Sequence, residues 1–293
     1  MMTRQARPST VIMGFDTPMI LEVAPALVRF GVVESVFAPN ALEGRRAVVA
    51  GGTRGIGAAT VRMFAATGAR VVAAARSKPA ELPDGVDFVA ADLASERGPA
   101  ELAATSLAIL GGVDIVVSTS GSQTRRPGGA LGLGDDGYFA DFESNLLAAV
   151  RLDRALVPGM IEQGSGAIVH VGSAAARNVR RHPLGYAAAK AALTAYSKGL
   201  AADLGPHGIR VNIVQPGMIH TERMDERLAE LAAASGQDPG AALRAMLDHY
   251  DVPLGRVGTP DEVAAAIVFL VSAAGGYVTG TQLVVDGGLI PTT

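Results

Sequence analysis

The chain has 293 residues, enough for one large α/β domain whose hydrophobic core needs no disulfide or structural metal. Hydrophobic residues make up 49% and charged residues 18%, which is too apolar for a disordered chain. A net charge of −3 offers no field for wrapping nucleic acid, and the lack of cysteine excludes a disulfide scaffold, thiolate metal sites and a cysteine nucleophile.

Residues 1 to 43 read as an N-terminal, non-catalytic extension. Arg4 and Arg7 ahead of an apolar stretch look superficially like a signal peptide, but Asp16, Glu22 and Arg29 interrupt that stretch and no small-residue cleavage site follows. Neither secretion nor a membrane span is expected, and a cytoplasmic location fits the absence of cysteine. Pro18, Pro25 and Pro39 break any long helix, so the apolar residues 19–21 and 27–37 are expected to form an arm that packs on the surface, covers a subunit edge or rims a pocket.

From Arg45 onward, short apolar runs alternate with longer segments of helical period, the signature of βαβ units. Strands are expected at 47–50, 70–74, 86–90, 114–117, 167–171, 210–214 and 282–285. They are almost continuously apolar, as strands buried on both faces of a parallel sheet should be. Right-handed crossovers then place helices on both sides, giving a single doubly wound Rossmann-type domain over residues 44–293 with about seven strands. Its ligand crevice lies at the carboxyl ends of the strands, so functional residues are expected just after them.

After the first strand, Gly51, Gly55 and Gly57 open a helix. A turn without side chains lets a diphosphate approach the backbone, and the free amides at the helix start favour its charge. The end of the second strand, where a carboxylate would bind the ribose of NAD, instead reads Arg76. With Arg54 inside the turn, it forms a cationic pocket suited to a 2′-phosphate, so NADP(H) is the expected cofactor. Further on, Tyr186 and Lys190 are four apart on one helix face, where an ammonium beside the phenol should lower its pKa and fit it for proton transfer. Ser173 lies 13 residues before Tyr186, just after a strand, and Asn145 lies 28 residues before Ser173 in a helix.

Through these residues, in this order and spacing, residues 44–293 resemble the short-chain dehydrogenase/reductase family, in the form with a G-x-x-x-G-x-G turn and an Asn-Ser-Tyr-Lys tetrad. The resemblance implies an oxidoreductase in which Tyr186 gives a proton to a substrate carbonyl that Ser173 holds. Lys190 would lower the Tyr186 pKa and bind the nicotinamide ribose, and the Asn145 backbone would hold a relay water. It further implies cofactor contacts at Thr53 and Ile56 in the turn, at Asp92 and Leu93 for adenine, at Gly121, and at Pro216, Gly217, Ile219 and Thr221 near the nicotinamide. A homotetramer or homodimer is implied as well. One motif departs: where the family has Asn-Asn-Ala-Gly, this chain has Ser118-Thr119-Ser120-Gly121, and loss of both amides should remove bonds that tie this turn to neighbouring strands.

The substrate is expected to be a small carbonyl compound or alcohol, a ketone or a 3-oxoacyl group. Candidate contacts are Gln123, Arg125, Arg180, His182 and Met218. Arg125, Arg126, Arg177, Arg180 and Arg181 could receive an anion or an acyl-carrier partner, or could be a solvated rim. Apolar residues on helical stretches 226–234 and 241–250 (Leu228, Leu231, Leu243, Met246, Leu247, Tyr250) could form a lid over a hydrophobic substrate. His170 reads as a packing histidine, and no metal site is expected. A dinucleotide-binding sensor and a non-redox isomerase or dehydratase on the same fold stand as alternatives.

Overall fold

The computed structural model describes residues 22–23, 26–27, 36, 38–124, 131–179, 182–236 and 238–291. The chain divides into two units, Met1–Val33 and Glu34–Thr293. In the first, β1 (Glu22–Val23) pairs antiparallel with β2 (Ala26–Leu27). The arm residues expected at 19–21 and 27–37 fall almost wholly outside the described residues. The second unit takes in the end of the stretch read as an extension. Leu42 is only 1% exposed and packs in one core cluster with Phe64, while its N–H donates to the Thr67 carbonyl at 2.8 Å.

The larger unit is built on seven strands: β3 (Arg46–Ala50), β4 (Arg70–Ala75), β5 (Val86–Ala90), β6 (Ile115–Ser118), β7 (Gly166–Val171), β8 (Ile209–Pro216) and β9 (Gln282–Val285). All pair in parallel, in the order β5-β4-β3-β6-β7-β8-β9. Each expected strand is present, with ends shifted by at most two residues. β8 runs on to Pro216 because β9 supplies it a partner up to Val285.

The helices are α1 (Gly55–Ala66), α2 (Gly98–Leu110), α3 (Asp135–Phe142), α4 (Ala148–Gln163), α5 (Leu184–Leu204), α6 (Glu222–Ser235), α7 (Pro239–Tyr250) and α8 (Pro260–Val271). Alternate strand residues enter opposite cores. Val48, Val72, Val116 and Ile168 pack with Leu102 of α2 and Leu152 of α4, whereas Val49, Val71, Val117 and Val169 pack with Phe64 of α1 and Ile267 of α8. Every such side chain is therefore buried whichever way it points, worth about 1.5–3 kcal/mol apiece, which explains the unbroken apolar runs. No helix among the described residues is long and apolar enough to cross a membrane, and the uncharged stretch 263–285 is divided between α8, a turn and β9.

The sheet order reverses between β3 and β6. Chain leaving β3 winds toward β5, while chain from β6 onward winds toward β9, so the carboxyl ends of β3 and β6 flank a crevice at the switch point.

Candidate active site

The glycine turn between β3 and α1 folds tightly on itself. Gly51 and Gly55 have φ of +84° and +50°, and a Cβ on Gly57 would stand 2.1 Å from the Gly51 carbonyl oxygen. Arg54 is the N-cap of α1 and makes no side-chain capping bond, so no side chain competes for the first amides of the helix. Gly51, Thr53, Arg54, Gly55, Ile56, Gly57, Arg76, Asp92, Leu93, Gly121 and Thr221 all line one cleft of about 460 Å³. The bare backbone of the turn and the helix start suit a diphosphate. Arg54 and Arg76 are both exposed on its wall, and neither makes an ion pair among the described residues.

Three expected cofactor residues sit behind this wall. Pro216 ends β8, the Gly217 N–H donates to the Val285 carbonyl at 3.0 Å, and a Cβ on Gly217 would stand 2.7 Å from Asp286 Cα. The side chain of Ile219 is core, and its backbone bridges to Gly258.

The altered turn after β6 keeps its tie to β3. Thr119 Oγ1 donates to the Ala50 carbonyl at 2.8 Å beside the backbone bond from its N–H at 2.9 Å, so a side chain still ties this turn to the neighbouring strand. Ser118 Oγ is buried and has no hydrogen-bond partner among the described residues. The turn therefore keeps one side-chain tie, at Thr119.

Ser173 follows β7 and caps a short 3-10 turn, accepting from the Ala175 N–H at 3.1 Å. That bond uses an oxygen lone pair and leaves the hydroxyl proton free to act on the Tyr186 phenol, which it makes easier to ionise. Tyr186 is half-buried near the start of α5, one turn before Lys190, whose Nζ donates to the Val171 carbonyl at 2.8 Å and lies 5.9 Å from the Tyr186 ring centroid. Asn145 lies in a π-helical turn (Glu143–Leu147) joining α3 to α4. Its Nδ2 donates to the carbonyls of Ser122 at 2.7 Å and Asp141 at 2.8 Å. Its Oδ1 has no partner among the described residues and would stand 2.5 Å from a Cβ on Gly121, a position also 3.3 Å from Lys190 Nζ. Asn145 and Lys190 thus meet beside Gly121, which lines the cleft, and Tyr186 lies next to Lys190.

The electrostatics differ from the sequence expectation. Burial pushes the Tyr186 phenol above its ordinary value, the Ser173 hydroxyl and the Arg223 charge pull it down, and Asp141 pushes it up. Lys190 is not the group that lowers it. Burial, assisted by Arg223, instead brings Lys190 itself down to about 7. Between that value and the ordinary 10.5 the unfolded chain holds the lysine proton and the folded chain does not, so stability rises with pH across this window. Lys190→Met is expected to flatten that rise and to lift the melting temperature near neutral pH; an unchanged slope in melts across the window would contradict the assignment.

Of the expected substrate residues, Gln123 and Met218 are half-buried, and His182 lies with its ring centroid 5.6 Å from that of Tyr250. Arg125, Arg126, Arg180 and Arg181 lie outside the described residues, and Arg177 is exposed. The apolar faces expected to cover a substrate are largely used in packing: Leu228 of α6 joins Met246 and Tyr250 of α7 against Leu289 and Ile290. His170 is buried beneath α4 and α5, with Nε2 3.0 Å from Asp153 Oδ2, to which Tyr196 also donates at 3.0 Å. Among the described residues no group of His, Asp and Glu is placed to hold a metal ion.

Sequence reasoning missed Asp141, Glu222, Arg223 and Glu226. Asp141 is wholly buried on α3 and accepts from the Thr124 N–H at 2.8 Å, and the other three line the cleft from α6. Nothing in their spacing marks them, because their roles come from packing between distant elements.

A switch-point cleft with a glycine cradle, ending at a serine–tyrosine pair and a buried lysine, defines a dinucleotide-binding oxidoreductase. A family model described as Enoyl-(Acyl carrier protein) reductase matches residues 50–290. The chain is 35% identical over 258 residues to an L-xylulose reductase of Mus musculus, covering 86% of this chain and 98% of that protein. It is 38% identical over 255 residues to an L-fucose dehydrogenase of Mus musculus, covering 84% and 88%. Among solved structures, L-sorbose reductase from Gluconobacter frateurii, complexed with NADPH and L-sorbose, matches with a TM-score of 0.80 and 32% identity over 87% of this chain and all of that one. The chain belongs to the short-chain dehydrogenase/reductase family.

Proposed function

We propose that this protein is an NADP(H)-dependent oxidoreductase that interconverts a ketone and a secondary alcohol. The observation that carries this is the placing of Lys190 Nζ 5.9 Å from the Tyr186 ring centroid, with Lys190 and Asn145 both beside Gly121 on the wall of the cleft. When bound, the nicotinamide nucleotide supplies or accepts the hydride. Arg54 and Arg76 would bind the 2′-phosphate, and the amides of the α1 first turn the diphosphate.

For reduction, the Ser173 hydroxyl donates to the substrate oxygen and holds it by hydrogen bond. Tyr186 gives its proton to the same oxygen, and its raised pKa keeps that proton in place at neutral pH. Reprotonation passes along the side of Gly121, where Lys190 Nζ and the orphaned Asn145 Oδ1 offer the polar partners a relay water requires. For oxidation the sequence runs backward and is favoured by rising pH, since Tyr186 must then take a proton.

The substrate best supported is a small hydroxylated ketone. Two of the similar proteins are reductases of L-xylulose and L-sorbose. Apart from the exposed Leu231, the large apolar residues of α6 and α7 are taken up in packing, which argues against a long acyl chain. A homodimer or homotetramer in the cytoplasm, with no nucleic-acid or membrane partner, belongs to the same reading, as does an extension up to residue 43 that takes no part in catalysis. Arg76→Ala is expected to weaken NADPH binding about tenfold or more and leave NADH nearly unchanged. Titration with both cofactors checks this, and equal losses would remove Arg76 from the 2′-phosphate site.

A further inference from the structure

Arg223 stands on the first turn of α6, two residues after the N-cap Thr221. That end of α6 lies against the glycine turn, since a Cβ on Gly55 would stand 3.0 Å from Thr221 Cγ2. From there Arg223 reaches across the cleft and donates from Nη2 to the Gly121 carbonyl at 3.2 Å. Gly121 belongs to the opposite wall, beside Asn145 and Lys190. A dinucleotide bound from the start of α1 toward Tyr186 would have to pass between these walls, which the Arg223 side chain bridges.

The charges on the α6 wall are unfavourable to an anion without this residue. Glu222 and Glu226 both line the cleft, and Glu222 Oε2 would stand 3.7 Å from a Cβ on Gly55, close to the turn suited to a diphosphate. Arg223 is the cation that offsets them. It is exposed, and its bond is to a neutral carbonyl. A phosphate offers the same guanidinium a two-pronged, charge-assisted contact, which is the stronger hold. Its charge also opposes that of Lys190, and carrying it toward a diphosphate relieves this opposition.

We propose that Arg223 is a cofactor clasp: it gives up the Gly121 carbonyl for the diphosphate of the bound dinucleotide and holds the cofactor under α6. The proposal rests on the reading of the cleft as a dinucleotide site. Calorimetric titration of the full chain with NADPH, NADH and 2′-AMP tests it, because 2′-AMP carries the adenosine 2′-phosphate without a diphosphate. Arg223→Ala is expected to weaken NADPH and NADH alike, by about ten- to a hundredfold, and to leave 2′-AMP unchanged. Arg223→Lys should recover part of the loss, and Glu222→Gln, which removes a carboxylate from the same wall, should tighten both dinucleotides. Unchanged or tighter NADPH binding by Arg223→Ala overturns the clasp, as does a loss confined to NADPH, which would move Arg223 to the 2′-phosphate. Wild-type protein that bound neither dinucleotide would fail at the earlier step, the reading of the cleft itself.

Discussion

Replacing Tyr186 by phenylalanine is expected to lower kcat for carbonyl reduction by about 10²- to 10⁴-fold, the usual contribution of a positioned acid, with little change in NADPH affinity. The substitution keeps the ring near the start of α5 and removes only the phenol hydroxyl. Ser173 then keeps its Ala175 N–H contact but has no proton donor beside it. Because burial holds the phenol proton on, wild-type reduction should persist through neutral pH and oxidation should climb as pH rises toward the phenol's raised pKa. Steady-state rates in both directions, with a separate cofactor titration, check this. A Tyr186→Phe enzyme within about threefold of wild type would show that the proton comes from elsewhere.

The second large effect is expected at Gly57. An alanine there places Cβ 2.1 Å from the Gly51 carbonyl oxygen and 2.7 Å from Thr119 Oγ1. The first contact is with backbone, so no rotamer change relieves it, and the start of α1 must move away from the turn that would receive the diphosphate. Gly57→Ala should lose NADPH binding by more than about a hundredfold and lower the melting temperature, through overpacking that costs on the order of 1–3 kcal/mol. Gly159→Ala supplies the contrast: a Cβ on this glycine inside α4 meets nothing within 4 Å, so its helix should be unchanged or up to about 1 kcal/mol more stable. Near-normal cofactor binding by Gly57→Ala would mean the turn is not the cradle.

Where sequence and structure agree, the reason is local. Val48 and Val49 face opposite cores, yet both are buried, so β3 reads as an unbroken apolar run bounded by the glycine turn. Tyr186 and Lys190 share a helix face by spacing alone, and Ser173 was legible as the residue that leaves a strand's carboxyl end. What the sequence could not show arises where distant segments meet. Arg223 looks like one more exposed charge on an amphipathic helix, and only the packing of Thr221 against Gly55 lays it across the cleft. The expectation that Lys190 would depress the Tyr186 pKa assumed that charge outweighs solvation; with both groups drawn under protein, burial is the larger effect on each. Likewise, the leucines and Tyr250 of α6 and α7 carried an apolar signal that fits a lid and a packed helix pair equally, and the contacts with Leu289 and Ile290 favour the second.

The most direct test of the central claim follows the absorbance of reduced nicotinamide while purified protein meets a panel of hydroxylated and simple ketones with NADPH or NADH. The account predicts NADPH consumption, faster than NADH and fastest with small hydroxylated ketones, that disappears with Tyr186→Phe. Consumption that survives in Tyr186→Phe, or none with any ketone although NADPH binds, would contradict it and favour a cofactor sensor or a non-redox reaction on this fold.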